Sequence, residues 1–369
     1  MKNHTNSRRD FLKIAALGLG SLAFRLPARG RLLPDFPDHE RLGRVLQKVD
    51  LKARPNIDSQ TVGVLYDDAV LPWLREAAGQ PPYNIYGLFA QRWVETPEGY
   101  IYSPYIQPVR NRPNEQLASF RQTSIGNGAW VEVTVPYTDV VLENDPSGNS
   151  WVKERITNGL PVRLYYGQIF WVDSTREADG ETYYRVNPNY YGGVDKLWVP
   201  SRAMRALTDD EIAPLSPDVT EKKVVIDLSR QTLSCYEGSS EVFYCMISSG
   251  GKWNAAGQAV DNWSTPVGKH RVSRKFLSLQ MSGGVTTGSS YDLPGVGWTS
   301  IFVTGGVAIH ATVWHNSFGT PVSHGCVNCL PEDAKWIWRW LQPVVPYDPG
   351  MVDISLTGDA STTVEVIET

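Results

Sequence analysis

The chain has 369 residues, a formal net charge of -4 and four cysteines. That length admits two or three domains. The mild acidity gives no electrostatic footprint for nucleic acid as a partner, and so few cysteines in so long a chain exclude a disulfide scaffold.

The chain opens with Ser7-Arg8-Arg9-Asp10-Phe11-Leu12-Lys13 ahead of an apolar run over 14–24. Twin arginines before a short Gly/Ala/Leu run read as a twin-arginine export signal over 1–30, with cleavage expected near Ala28. The run is shorter than the ~20 apolar residues of a membrane span, and uncut it would serve as a tether. No cysteine follows it, which argues against a lipoprotein anchor. Export in the folded state also lets a reactive thiol be made in a reducing cytoplasm.

From 43 to 112 the pattern predicts a small β-barrel module, with strands over 49–55, 61–65 and 69–74. Its last stretch, 99–109, is aromatic-rich and resembles the closing segment of bacterial SH3-like domains. A similar stretch recurs at 195–207, which predicts a second SH3-like module over 125–208 with strands at 130–135 and 162–166. In exported enzymes such modules resemble wall-binding attachments. Tyr83, Tyr86, Trp93, Tyr100, Tyr183, Tyr184, Tyr190 and Tyr191 are candidates for stacking on glycan or peptide, or else core anchors of the barrels. Ala213-Pro214-Leu215-Ser216-Pro217 punctuates a linker over 209–221.

A further domain is predicted over 222–358. It starts as a β-meander with strands over 224–228, 232–236 and 241–247. Cys235 and Cys245 fall on adjacent strands but not opposite one another, so both are expected as buried free thiols. The glycine- and alanine-rich segment 253–262 follows. Ser264 and Thr265 then lead into a strand at 270–274, the region 280–292 reads as a loop or lid, and strands are expected at 298–303 and 307–309. Pro331 with Glu332 and Asp333 marks a helix start, carrying Trp336, Ile337, Trp340 and Leu341.

Between the last strand and that helix runs His310-Ala-Thr-Val-Trp-His315-Asn-Ser-Phe-Gly-Thr-Pro-Val-Ser323-His324-Gly325-Cys326-Val-Asn328-Cys329. A loop so rich in bases and thiols is a natural place for chemistry. The thiolate is the nucleophilic form of cysteine, so a reactive cysteine needs a base beside it. Cys326 is the candidate nucleophile, with Gly325 allowing a tight approach. His310, at a strand end, is the candidate base. The N–H groups of Gly325 and Cys326 are candidates for an oxyanion hole. The Cys326-x-x-Cys329 spacing admits a redox motif, and His310, His324, Cys326 and Cys329 could be drawn as a zinc set. The absence of a βαβ pattern speaks against the redox reading, and the crowding of His324 and Cys326 on one loop speaks against zinc. A papain-like peptidase would place its cysteine before its histidine, the reverse of this chain.

Ser323-His324-Gly325-Cys326-Val327-Asn328 with His310 upstream resembles the signature of the YkuD-type L,D-transpeptidases, over roughly 222–356. The resemblance implies a mainly β fold: a β-sandwich with a short helix after the SHGC loop, preceded here by the two SH3-like barrels. It implies Cys326 and His310 as catalytic residues, and Gly325, His324, Ser323, Asn328 and Tyr291 as oxyanion and loop support. Ser264 and Thr265 would lie beside the donor-peptide groove. His315 has no counterpart and is expected at the surface or substrate edge. The reaction implied is crosslinking of third-position residues of peptidoglycan stem peptides through a cysteine acyl-enzyme, with no metal or organic cofactor and with carbapenems acylating Cys326. Peptidoglycan stem peptides and the cell wall are the implied partners. The alternatives are an L,D-carboxypeptidase, in which water resolves the acyl-enzyme, and a non-catalytic wall-binding protein.

Overall fold

The computed structural model describes residues 33–82, 91–145, 148–187, 195–252, 263–283 and 291–368. The export-signal stretch, Tyr83, Tyr86, Tyr190, Tyr191 and the segment 253–262 lie outside the described residues. The chain is mainly β, with three short α-helices among the described residues. None of these helices is long and apolar enough to cross a membrane.

Leu42–Val45 pairs antiparallel with Val70–Pro72 on one side and Ile106–Val109 on the other. A five-stranded sheet lies beside it, and Val45, Leu51, Trp73, Val94, Ile101 and Ile106 share a core with it. The two similar sequence stretches adopt the same backbone shape. The first is Gly99–Tyr102, a 3-10 turn Ser103–Tyr105, then Ile106–Val109; the second is Leu197–Pro200, Ser201–Ala203, then Met204–Ala206. The second stretch closes a seven-stranded sheet built on Gly126–Val133, Ile169–Ala178 and Glu181–Asn187. Trp93, Tyr183 and Tyr184 are buried and Tyr100 half-buried. The three buried rings fill interiors and offer no free face for stacking.

The stretch 209–221, expected as a linker, is packed down. Thr208 and Glu211 form a capping box on the helix Asp209–Ile212, and the Leu215 N–H donates to the Arg339 carbonyl. Ile212 enters the same core as Trp130, Ile169, Trp171 and the C-terminal sheets. The Trp130 backbone N–H reaches the Tyr347 hydroxyl at 3.0 Å and its Nε1–H the Tyr347 carbonyl at 3.1 Å. Burying side chains this large contributes about 1.5–3 kcal/mol each, so hydrophobic burial fastens the upstream sheet to the C-terminal part.

Among the described residues the C-terminal part has ten strands: β1 (Lys222–Asp227), β2 (Thr232–Glu237), β3 (Ser240–Met246), β4 (Gly268–Arg271), β5 (Arg274–Gly283), β6 (Tyr291–Val303), β7 (Val307–Ala311), β8 (Val327–Cys329), β9 (Met351–Asp353) and β10 (Thr363–Ile367). They form two five-stranded sheets, ordered β3-β2-β1-β10-β4 and β8-β7-β6-β5-β9. Both contribute to one core, Val224, Leu233 and Val364 from the first and Leu277, Phe302 and Val327 from the second. This is the expected sandwich. The sheets are mixed, because β1 runs parallel to β10 and β7 parallel to β8.

The region 280–292 differs from the loop expected there. Its described ends are sheet, with Gly283 opposite Tyr291 and Met281 opposite Leu293. Serines and glycines give this stretch no strand signal, and cross-strand pairing overrides that weak local preference. Helix α1 (Pro331–Trp340) begins with Pro331 and carries Glu332 and Asp333 in its first turn. Its C-terminal carbonyls need donors, and buried Lys275 supplies them: Nζ reaches Trp338 O at 2.7 Å and Leu341 O at 2.6 Å.

Candidate active site

The site is built by the pleat of β7 and β8. Side chains alternate across a strand, and the parallel register sets Ile309 beside Val327, His310 beside Asn328 and Ala311 beside Cys329. Ile309, Val327, Ala311 and Cys329 point into the core. His310 and Asn328 therefore share the opposite face, together with Ala308 and Cys326, which join a separate cluster with Phe276, Ile301 and Met281. His310 and Cys326 sit one pleat apart on that face. They line a common cavity of about 270 Å³, walled by Met281, Leu293, Trp314 and Val322 and also bordered by Tyr291, His315, Ser323, His324 and Asn328.

The loop ahead of β8 is braced from within. Gly325 has φ +118°, a backbone conformation that favours glycine. The Ser323 hydroxyl donates to the Cys326 carbonyl at 2.5 Å and accepts from the Gly325 N–H at 3.1 Å. That N–H is therefore spent inside the loop, a correction to the oxyanion role expected of it. His324 is exposed and lies against Trp263 with ring centroids 4.1 Å apart, and its centroid is 5.5 Å from that of Tyr291.

His310 is 2% exposed. Its Nδ1 donates to the Ala311 carbonyl at 2.9 Å, and its Nε2 accepts from Asn328 Nδ2 at 3.0 Å. The Cys326 thiol is directed at the Gly306 carbonyl, 3.8 Å away. Burial disfavours the charged form of each group. It lowers His310 to about 4, against a smaller upward pull from the Ala311 carbonyl. It raises Cys326 to about 11, against a smaller downward pull from the Ala308 backbone. At rest the pair is a neutral imidazole and a thiol. Burial, with a smaller contribution from Cys326, also raises the Tyr291 hydroxyl.

Ser264 and Thr265 do not line this cavity; they border a neighbouring one with Gly250 and Pro321. Thr265 is 2% exposed. Its Oγ1 accepts from the Gly250 N–H at 2.9 Å and donates to the Gly325 carbonyl at 2.8 Å, holding the loop from behind. Thr265→Val leaves both backbone groups unpaired and is expected to cost about 1–3 kcal/mol, read as a lowered urea midpoint. Thr265→Ser should recover most of it.

His315, expected at the surface or substrate edge, is half-buried and donates from Nε2 to Asn328 Oδ1 at 2.8 Å. Nothing in the sequence joins His315 to Asn328; only the return of the loop onto β8 does. Trp314, Met281, Leu293 and Val322 are cavity walls that sequence reasoning also missed, since apolar residues in such positions carry no chemical mark. Cys235, Cys245 and Cys329 are free and buried. Cys329 lies on the core side of the sheet with Cys245, away from Cys326, and the neighbouring Cys245 thiol together with burial raises its pKa.

The YciB protein of Bacillus subtilis, a curated relative named for the L,D-transpeptidases, is 29% identical over 135 residues. The match covers 33% of this chain and spans 63% of the length of that relative. Among solved structures, a cysteine-to-serine mutant of the Enterococcus faecium L,D-transpeptidase is 22% identical, with a TM-score of 0.30, over 41% of this chain and 51% of that one. An L,D-transpeptidase from Mycobacterium tuberculosis is 16% identical, with a TM-score of 0.29, over 70% of this chain and 98% of that one. The model of the YkuD family, the L,D-transpeptidase catalytic domain, matches residues 221–366, which include His310 and Cys326. The stretch that builds the cavity is a YkuD-type L,D-transpeptidase catalytic domain.

Proposed function

We propose that this protein is a peptidoglycan L,D-transpeptidase working through a cysteine acyl-enzyme. The observation that carries the reading is the placement of Cys326 and His310 on one face of two parallel strands, at the wall of one cavity, within the matched domain. The Cys326 sulfur attacks the carbonyl of the third residue of a donor stem as its proton passes to His310 Nε2, displacing the Asn328 N–H that occupies that nitrogen at rest. The Cys326 N–H and the Tyr291 hydroxyl hold the oxyanion. The tetrahedral intermediate collapses to a thioester, and the terminal D-alanine leaves as an amine carrying the proton from His310. A side-chain amine of an acceptor stem then attacks the thioester, joining two third-position residues and returning the proton to sulfur.

Met281, Leu293, Trp314 and Val322 keep the cavity largely apolar, which favours an amine over water in the second step. The modules over 43–112 and 125–208 are read as SH3-like units that hold the enzyme to the wall, and residues 1–30 as a twin-arginine signal, so the protein acts outside the cytoplasm. Incubating the full chain with a tetrapeptide donor stem and an acceptor stem, with products resolved by mass spectrometry, tests the reading. A crosslinked dimer with loss of one D-alanine is the expected result. Shortened stems without dimer would move the assignment to a carboxypeptidase. No change in either stem, with binding to sacculi retained, would overturn the enzymatic reading in favour of a wall-binding protein.

A further inference from the structure

Beside the nucleophile, two imidazoles and an amide are strung between two backbone groups. The Ser317 N–H donates to His315 Nδ1 at 3.2 Å, and His315 Nε2 meets Asn328 Oδ1 at 2.8 Å. Asn328 Nδ2 meets His310 Nε2 at 3.0 Å, and His310 Nδ1 meets the Ala311 carbonyl at 2.9 Å. The two ends have fixed roles, since a backbone N–H only donates and a carbonyl only accepts. Working inwards from them, neutral rings admit one arrangement of protons. His315 carries its proton on Nε2 and His310 on Nδ1, with the Asn328 amide oxygen towards His315. Turning the amide over would set N–H against N–H at one end and oxygen against a lone pair at the other. Two hydrogen bonds would be lost where Asn328 and His310 are both buried.

We propose that His315 is a positioning residue for the reaction: by donating to Asn328 Oδ1 it locks the amide so that an N–H faces the proton-accepting nitrogen of His310 and keeps it unprotonated. This rests on the reading of His310 as the base. Without the His315 donor, Asn328 is free to turn and present Oδ1 to His310 Nε2, where it accepts from a protonated ring. A charge that the amide N–H repels is then stabilised by the amide oxygen.

Burial is the larger influence on His310, and the charged groups around it are few. Among the described residues, the titratable groups that border the cavity with His310 are Tyr291, His315, His324 and Cys326, with no carboxylate, lysine or arginine. Helix α1 packs on the core side of the sheet, through Ala334 and Ile337, which keeps Glu332 and Asp333 off the His310 face. Arg44 reaches the Val313 carbonyl nearby, but its charge is paired with Asp68. Burial lowers the proton affinity of His310 first, and the neighbouring His315 adds a smaller push in the same direction.

The test is long-range ¹H–¹⁵N NMR on the full chain with labelled imidazoles, beside carbapenem acylation rates across pH. In the wild type, His310 should be the Nδ1–H tautomer and His315 the Nε2–H tautomer; the opposite tautomers overturn the proposal without any variant. In His315→Ala, His310 should take up its proton about one pH unit higher than in the wild type, burial still holding it below the ordinary histidine value. Acylation should then fall about threefold near pH 4.5 and stay nearly unchanged at pH 8. His315→Gln, whose amide N–H can also donate to Asn328, should restore the wild-type profile. An unchanged His310 titration in a folded His315→Ala, or an equal loss at all pH values that glutamine does not rescue, would overturn the proposal. Failure of the wild type to form any adduct would instead count against the function proposed above, while the tautomers remain readable.

Discussion

Cys326→Ala is expected to abolish covalent capture of a carbapenem, and His310→Ala to slow it by about 10²–10⁴-fold, the usual span for a positioned general base. The pH dependence gives the sign. His310 is held near 4 and Cys326 near 11. Between those values the base is free, the thiol is protonated, and the proton moves only as sulfur attacks. Wild-type acylation should therefore be nearly flat from about pH 5 to pH 9, where neither group changes state by much. In His310→Ala only the thiolate reacts, so the rate should climb about tenfold per pH unit until the thiol itself ionises. Intact-mass kinetics across that range would show it. A flat profile in His310→Ala would mean that another group takes the proton, and an adduct on Cys326→Ala would remove the assigned nucleophile.

Arg44→Met should be the most damaging change far from the nucleophile in sequence. Arg44 is 4% exposed, yet it belongs to the first N-terminal sheet and touches three parts of the molecule. Its guanidinium donates to Asp68 Oδ1 at 2.8 Å, to Gln107 Oε1 at 2.7 Å and to the Val313 carbonyl at 2.7 Å, and stacks over Tyr165 at 4.1 Å. Arg163 binds the other oxygen of Asp68 at 2.8 Å. Methionine fills the volume but leaves Asp68 with one cation and Gln107 and Val313 without their donor. Removing one partner of a buried pair costs about 3–5 kcal/mol, to be read from urea unfolding.

The loss should also reach the chemistry. Val313 adjoins Trp314 in the loop that carries His315, and Asn316 in the same loop bonds the Ser103 and Ile106 carbonyls at 3.0 Å each. Loosening that loop should slow acylation about tenfold in the folded fraction, since small displacements at a reacting centre are costly. A shift below about 1 kcal/mol would mean that Arg163 alone satisfies Asp68.

Much of the candidate site's local geometry was legible because it is made within one short stretch. Ser323, Gly325 and Cys326 lie within four residues, and the serine–glycine–cysteine brace is made by the loop itself. Helix α1 was legible for the same reason: proline, then acids, then an apolar face are short-range signals. The doubled stretch at 99–109 and 195–207 showed through as a repeat because each copy fixes its own strand–turn–strand. What depends on pairing at a distance was not legible. The parallel register of β7 and β8 decides that His310 faces Asn328 directly and Cys326 one pleat away, and no residue in either strand encodes an offset against a partner many positions later. For the same reason the sequence did not show that Thr265 braces the loop, that His315 holds Asn328 from the border of the cavity, or that 280–283 with 291–292 are sheet. The sequence alone determined which chemical groups this protein brings to its loop. Only the tertiary structure decided which of them touch, because hydrogen bonds between strands and burial in a shared core are settled by the whole chain at once.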